Sequence, residues 1–95
     1  MIRPPKLIGK PGRQLWRDVH ELFELEAWQI PMLVAACTAL DRLTLAQEAL
    51  ATDGLLVEDR FGQRRAHPAA AVARDASATM RSALRELGFE QPVVR

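Results

Sequence analysis

The sequence predicts a mainly α-helical protein of three helices, with a short β-hairpin or extended loop between the second helix and the third. Residues 31–52 contain no Gly, have Pro only at their first position, and are rich in the helix formers Leu, Ala, Gln and Glu. The Asp53-Gly54 pair ends this run, and Pro68 begins another run rich in Ala. The predicted helices cover about residues 13–23, residues 27 or 31 to 53, and residues 68–87, and the hairpin covers residues 55–67.

The N-terminal part of the chain divides into an arm and a first helix. Residues 1–12 hold three Pro and two Gly, which predicts a flexible basic arm. From Arg13 onward the chain follows an amphipathic helical pattern, with Trp16 and Val19 on its apolar face. We expect residues 13–88 to form a single helical domain and residues 89–95 to form a C-terminal tail.

The second helix carries more apolar surface than a chain of this length is expected to cover. One helical seam at 4-3-4-3 spacing is apolar except for one Gln, and further apolar residues widen it on both sides; the seam residues are Ala36, Leu40, Leu43, Gln47 and Leu50. Even the thin polar strip contains Leu45. The pattern predicts contact with another copy of the chain in a helical oligomer, and the alternative is the fully covered core helix of a monomer. The candidate oligomer-interface residues are Leu33, Ala36, Cys37, Leu40, Leu43, Leu45 and Leu50.

The segment between the second and third helices has the composition of a hairpin. Its first residues are β-leaning, residues 59–62 have turn composition, and residues 63–67 are polar and extended. Because a two-stranded ribbon is marginal alone, we expect the helices or a neighbouring subunit to lie behind Leu55, Val57 and Phe61.

The net charge of +1 on 95 residues conceals a segregation of charge along the chain. Residues 1–17 carry five bases and no acid, residues 18–59 carry nine acids and one base, and residues 60–95 carry seven Arg and three acids. Basic ends around an acidic middle favour a polyanion partner or charge-complementary subunits, and the alternative is ordinary solvated surface charge. The candidate residues for binding such a polyanion are Arg60, Arg64 and Arg65 at the hairpin, with Lys6, Lys10, Arg13 and Arg17 as phosphate contacts.

Sequence motifs for catalysis and metal binding are missing. The chain has two His and one Cys, no CxxC, HExxH or GxSxG motif, and no carboxylate cluster at two-metal spacing. We therefore expect no enzyme activity, no cofactor, and no catalytic or metal-binding residues. The alternative of a small enzyme requires a polar pocket with converging titratable groups.

The sequence also bears on the compartment. The single Cys37 cannot form an internal disulfide and lies in the apolar part of the long helix, which favours a buried thiol in a reducing compartment. No apolar run approaches about 18 residues, and no apolar h-region follows the basic N-terminus. We expect a cytoplasmic protein without a membrane span.

Several short pieces occur in order along nearly the whole chain. They are Gly9-Lys-Pro-Gly-Arg-Gln-Leu-Trp16, Phe23-Glu-Leu-Glu26, Ala36-Cys37 through Leu40-Asp41-Arg42, Asp53-Gly54-Leu-Leu-Val57, Gly62-Gln63 to His67-Pro68-Ala69, and Arg81 to Leu87-Gly88-Phe89. Each piece is weak alone. Their order and spacing resemble the small subunit of tailed-bacteriophage terminases, in the branch with a Gly-x-x-Leu-Trp opening, a long helix, a Gly hairpin and an (Asn/His)-Pro-Ala helix.

This resemblance implies a function that composition alone does not. Terminase small subunits are non-catalytic, assemble into rings, engage double-stranded viral DNA at its packaging start, and recruit or regulate the large subunit, which carries ATPase and nuclease. The domain at residues 13–88 is then an oligomerisation and DNA-packaging domain in the host cytoplasm. The alternative function is that of a helical oligomeric adaptor, which binds an acidic protein and does not bind DNA.

Overall fold

The structure, a computed structural model, describes residues 3–88. Its elements are α1 (Lys10–Leu22), α2 (Gln29–Asp53), β1 (Leu56–Glu58), β2 (Arg64–Ala66) and α3 (Pro68–Glu86). The two strands form one antiparallel hairpin. The prediction of three helices with a hairpin between the second and the third is confirmed. The C-terminal tail predicted at residues 89–95 lies outside the described residues.

Helix α1 begins at Lys10, three residues before the predicted start at Arg13. Its N-cap residue is Gly9, which has no side chain to bond the free N–H groups of the first turn. Instead, the side-chain carboxylate of Asp41 in α2 accepts hydrogen bonds from the backbone N–H groups of Gly9 and Gly12. Ile8 is buried in the core. Residues 8–12 therefore belong to the folded domain rather than to the expected arm.

Helix α2, with 25 residues, is the longest element of the elongated molecule, which measures 57 × 24 × 21 Å. Pro31 lies in its first turn, where the missing N–H leaves no intrahelical bond unmade. The helix ends at Gly54, whose φ of 82° lies in the region that favours glycine. Its buried face packs with the other helices around Trp16, Leu33 and Cys37, the largest fully buried side chains of the described residues.

Helix α3 returns antiparallel along α2. At one end the side chain of His67 bonds Asp53, and at the other Gln29 Nε2 donates to the carbonyl oxygen of Leu87 at 3.0 Å. Buried Ala76 and Ala83 are small enough to let α3 approach α2 closely. The hairpin therefore projects from one end of α2, and the α1–α2 connection lies at the other.

The candidate interface residues of α2 divide into two groups. Leu33, Ala36 and Cys37 have no accessible surface because their own chain buries them completely. They are core residues of the described protomer. The periodicity identified them as apolar but not which chain covers them. Leu40, Leu43 and Leu50 are half-buried, and Leu45 is 66% exposed.

Among the helices that the structure describes, none has both the length and the apolar composition of a membrane-spanning segment.

Candidate nucleic-acid interface

The seven predicted DNA-binding side chains lie in two groups. The arm group contains Lys6, Lys10, Arg13 and Arg17, and the hairpin group contains Arg60, Arg64 and Arg65. The first group adjoins Asp41 through Gly9 and Gly12, whereas the second adjoins Asp53 through His67. Asp41 and Asp53 are 12 residues apart on α2, or about 18 Å along its axis. The two groups therefore lie near different parts of α2 and do not form one pocket.

The hairpin turn is organised by the carboxylate of Asp59. Its Oδ1 accepts the backbone N–H groups of Phe61 at 2.8 Å and Gln63 at 3.0 Å, and its Oδ2 accepts Arg65 Nε at 2.8 Å. The Gln63 hydrogen bond is the largest cause that holds the pKa of Asp59 below its ordinary value, with further contributions from Phe61 and Arg65. Gly62 completes the turn with a φ of 76°.

This turn divides the three hairpin arginines by their surroundings. Arg65 is paired with Asp59 although 67% of its side chain remains exposed. The guanidinium of Arg60 lies 5.0 Å from the ring centroid of Phe61. Arg64 is exposed, faces Glu58 across the strand register, and makes no hydrogen bond or ion pair with the described residues. Arg64 is therefore the hairpin cation that is most available to a phosphate.

The arm group is divided in the same way. Arg13 folds back on the chain, and its guanidinium donates to the carbonyl oxygens of Ile8 at 2.8 Å and Lys6 at 3.3 Å. Arg17 donates to Gln14 Oε1 at 2.8 Å. The side chains of Lys6 and Lys10 are exposed, with no hydrogen bond to residues 3–88. Arg13 shapes the approach to α1, while the two lysines offer charge to solvent.

The base of the hairpin is attached to the helices through His67. The backbone N–H of Ala69 donates to its Nδ1 at 2.9 Å, so Nδ1 carries no hydrogen. The neutral ring then carries its hydrogen on Nε2, which donates to Asp53 Oδ2 at 2.8 Å. One side chain thus caps α3 and ties its start to the end of α2, which sets the direction in which the hairpin projects.

The structure thus reveals side-chain roles that the sequence did not predict for four residues, Asp41, Asp53, Asp59 and His67. Two of them carry a local signal. An Asp three residues before a Gly is typical of a turn, and a polar residue immediately before Pro68 is typical of an N-cap. The others act on residues far away in the chain.

The next question is whether the described residues include a metal-ion site or an accessible thiol. No group of three or more His, Cys, Asp or Glu among them is placed to hold a metal ion. Cys37 is buried as predicted, and burial, with the charge of Asp41 as the smaller cause, raises the pKa of its thiol to about 12. A thiol with this pKa is a poor nucleophile near neutral pH.

Comparison with known proteins agrees with the order of motifs along the chain. A family model described as "Phage terminase, small subunit" matches residues 12–92, which is most of the chain. No curated protein and no solved structure matches the chain significantly. The matched region includes all of α2, the hairpin and α3, together with α1 from Gly12 onward. The chain therefore belongs to the phage terminase small subunit family.

Proposed function

We propose that the chain is a non-catalytic DNA-packaging subunit that binds double-stranded viral DNA as a ring-like homo-oligomer. In the infected cell it recruits or regulates the large subunit, which carries the ATPase and nuclease activities. Membership of the terminase small subunit family is the observation that carries this proposal, because it gives the chain a role in phage DNA packaging.

The surface chemistry supports DNA as the ligand. Three exposed side chains are cations that form no ion pair with the described residues: Arg64, Lys6 and Lys10. Cations of this kind bind phosphates and release counterions, which gives affinity without base readout. The two groups adjoin different parts of α2, which suits contact with more than one phosphate. Leu45, 66% exposed in the middle of α2, supports contact between copies.

The experiment is a titration of duplex DNA followed by fluorescence anisotropy at several salt concentrations. The wild-type chain is compared with Arg64→Ala and Lys10→Ala, one variant from each group. Each lost phosphate contact is expected to lower the slope of log K against log salt by about 1, with similar loss on packaging-site and unrelated duplexes. Light scattering on the same samples measures the assembly, which is expected at several times the protomer mass of 10.6 kDa.

Arg74→Ala is the matched control, because Arg74 is an exposed arginine on α3 that lies 3.7 Å from Asp75. It is expected to leave the salt slope unchanged. An unchanged slope for Arg64→Ala and Lys10→Ala would remove these residues from the interface. An assembly that binds no DNA near physiological salt would contradict the proposal and favour the adaptor for an acidic protein.

A further inference from the structure

The tip of the hairpin exposes one aromatic side chain. Arg60, Phe61 and Gly62 form the turn between the two strands, and Phe61 is 74% exposed. Every residue from 60 to 66 is exposed, so the helices of the same chain do not cover the turn or β2. The Phe61 ring is therefore free to enter a groove on a ligand.

The turn that carries this ring is narrow and internally hydrogen-bonded. The N–H of Asp59 donates to the carbonyl oxygen of Gln63 at 2.8 Å, and the N–H of Gly62 donates to that of Asp59 at 3.0 Å. The Asp59 carboxylate is bonded to backbone N–H groups of the turn, and Gly62 has no side chain. Because the turn is already ordered, presenting the ring to a ligand costs little conformational entropy.

The charges of the hairpin favour a polyanion as that ligand. Residues 55–66 contain three Arg and two acids, which leaves a net charge of +1. One acid, Asp59, is paired with Arg65. The other, Glu58, lies opposite Arg64 in the strand register but forms no ion pair with it.

The cation beside the ring is Arg60. It forms no ion pair with the described residues, and its guanidinium lies 5.0 Å from the centroid of the Phe61 ring. A ring with an adjacent cation fits a surface on which an apolar stack lies beside anions. A groove of duplex DNA has this arrangement, because its stacked base pairs lie between two rows of phosphates. A single ring on a narrow turn suits the minor groove, which is about 6 Å wide.

We propose that the hairpin turn enters the minor groove of duplex DNA and inserts Phe61 as a wedge into a base step, with Arg60 against a neighbouring phosphate. This inference rests on the DNA binding of the proposed function and specifies its contact. Apolar side chains inserted in this way partly unstack one base step and kink the duplex. Pyrimidine–purine steps are the most easily unstacked, so the wedge favours deformable sequences without hydrogen bonds to base edges.

The test compares the wild type with Phe61→Ala and Phe61→Leu on a duplex in which 2-aminopurine replaces adenine at central TA steps. The fluorescence of 2-aminopurine rises when its base step unstacks. The wild type is expected to raise it, and Phe61→Leu is expected to retain most of the rise because leucine also serves as a wedge. Phe61→Ala is expected to abolish the rise and to bind about tenfold more weakly. Its salt slope is expected to stay unchanged, because the substitution removes no cation.

Leu55→Ala is the matched control, because Leu55 is 68% exposed and immediately precedes β1 at the base of the same hairpin. It is expected to keep the full rise in fluorescence. Arg64→Ala is expected to lower the salt slope and still give the rise once the duplex is saturated, because Arg64 lies on β2 and not at the tip.

The outcomes separate the wedge from DNA binding as such. Wild-type binding without a rise in fluorescence, or a rise that persists in Phe61→Ala, would overturn the wedge while DNA binding stands. If Phe61→Ala lost the assembled mass measured by light scattering, Phe61 would be a contact to protein, and the wedge would again be wrong. A wild-type chain that binds no duplex would overturn both the wedge and the proposed function.

Discussion

The backbone N–H of Gly12 in α1 donates to Oδ1 of Asp41 in α2 at 2.7 Å, across 29 residues of chain. The second oxygen of the same carboxylate accepts the N–H of Gly9 at 2.6 Å. Pro11 between them has no N–H. One carboxylate therefore satisfies two of the three N–H groups available from Gly9 to Gly12, and its charge matches the positive end of the α1 dipole.

Asp41→Asn is expected to lower the free energy of unfolding by about 1–3 kcal/mol, as for loss of a charged hydrogen bond at a helix end. The amide keeps the shape of the carboxylate, but its NH2 group then faces a backbone N–H donor. Urea unfolding followed by circular dichroism measures the change. Asp18→Asn is the control, because Asp18 is an exposed acceptor on α1, and its effect is expected within about 0.5 kcal/mol. Equal effects would contradict the capping role.

Gly12→Ala is expected to destabilise the protein even though Ala is the better helix former by about 1 kcal/mol. A Cβ at this position would lie 2.4 Å from Ile8 Cγ2 and 2.7 Å from the Cys37 carbonyl oxygen. The carbonyl belongs to the backbone of α2 and cannot turn away, so α1 must shift. The expected loss of about 1–3 kcal/mol is that of an overpacked core, measured by urea unfolding.

Gly9→Ala is the matched control for this variant. A Cβ on Gly9 would lie 3.4 Å from the nearest atom of Asp41, and its φ of −80° suits any residue. Little change is expected. If Gly9→Ala and Gly12→Ala lost equal stability, the cause would be the loss of glycine at the start of α1 and not the close approach of α1 to α2.

Local signals explain why most of the fold was predictable. The end of α2 follows from Gly54 and the start of α3 from Pro68, and both residues act on their immediate neighbours. The start of α1 was placed three residues late because its cap is Asp41, which no local pattern connects to Gly9. A Pro- and Gly-rich segment that is locally unsuited to helix becomes helical when a distant carboxylate satisfies its N–H groups.

The candidate site was predictable as composition but not as geometry. The sequence identified the three hairpin arginines together, whereas the structure separates paired Arg65 from unpaired Arg64 through the side chain of Asp59. In the same way, periodicity identified both Leu33 and Leu45 as apolar, yet only the packing of the other helices separates a core residue from an exposed one.

The hairpin is expected to open in acid before the helices unfold. Because hydrogen bonds from Gln63, Phe61 and Arg65 lower the folded pKa of Asp59 below its ordinary 3.8, its contribution is present above pH 3.8. It is lost as the pH falls through the lowered folded pKa. The amide shifts of Phe61 and Gln63, followed by NMR, are expected to titrate together there. In Asp59→Asn this transition is expected to vanish, and amides that move only with global unfolding would contradict the prediction.

The buried thiol of Cys37 is expected to make the fold sensitive to alkali. Its folded pKa of about 12 exceeds the ordinary 9.0, so the contribution of the thiol to the free energy of unfolding is complete below pH 9.0. Above that pH the unfolded chain ionises its thiol and the folded chain does not. Stability therefore falls by about 1.4 kcal/mol per pH unit, or by about 2 kcal/mol between about pH 8 and about pH 10.5.

Urea unfolding at these two pH values measures the loss, and Cys37→Ala isolates it. The variant is expected to be less stable at both pH values because it leaves a small cavity, and every other ionisable group is the same in both proteins. Only the difference between the two pH dependences belongs to the thiol. Since Cys37 is completely buried, a thiol reagent is expected to modify the folded chain at its opening rate. If the wild type and Cys37→Ala had identical pH dependences, and the thiol of the folded wild type reacted freely, α1 would not cover Cys37 on α2.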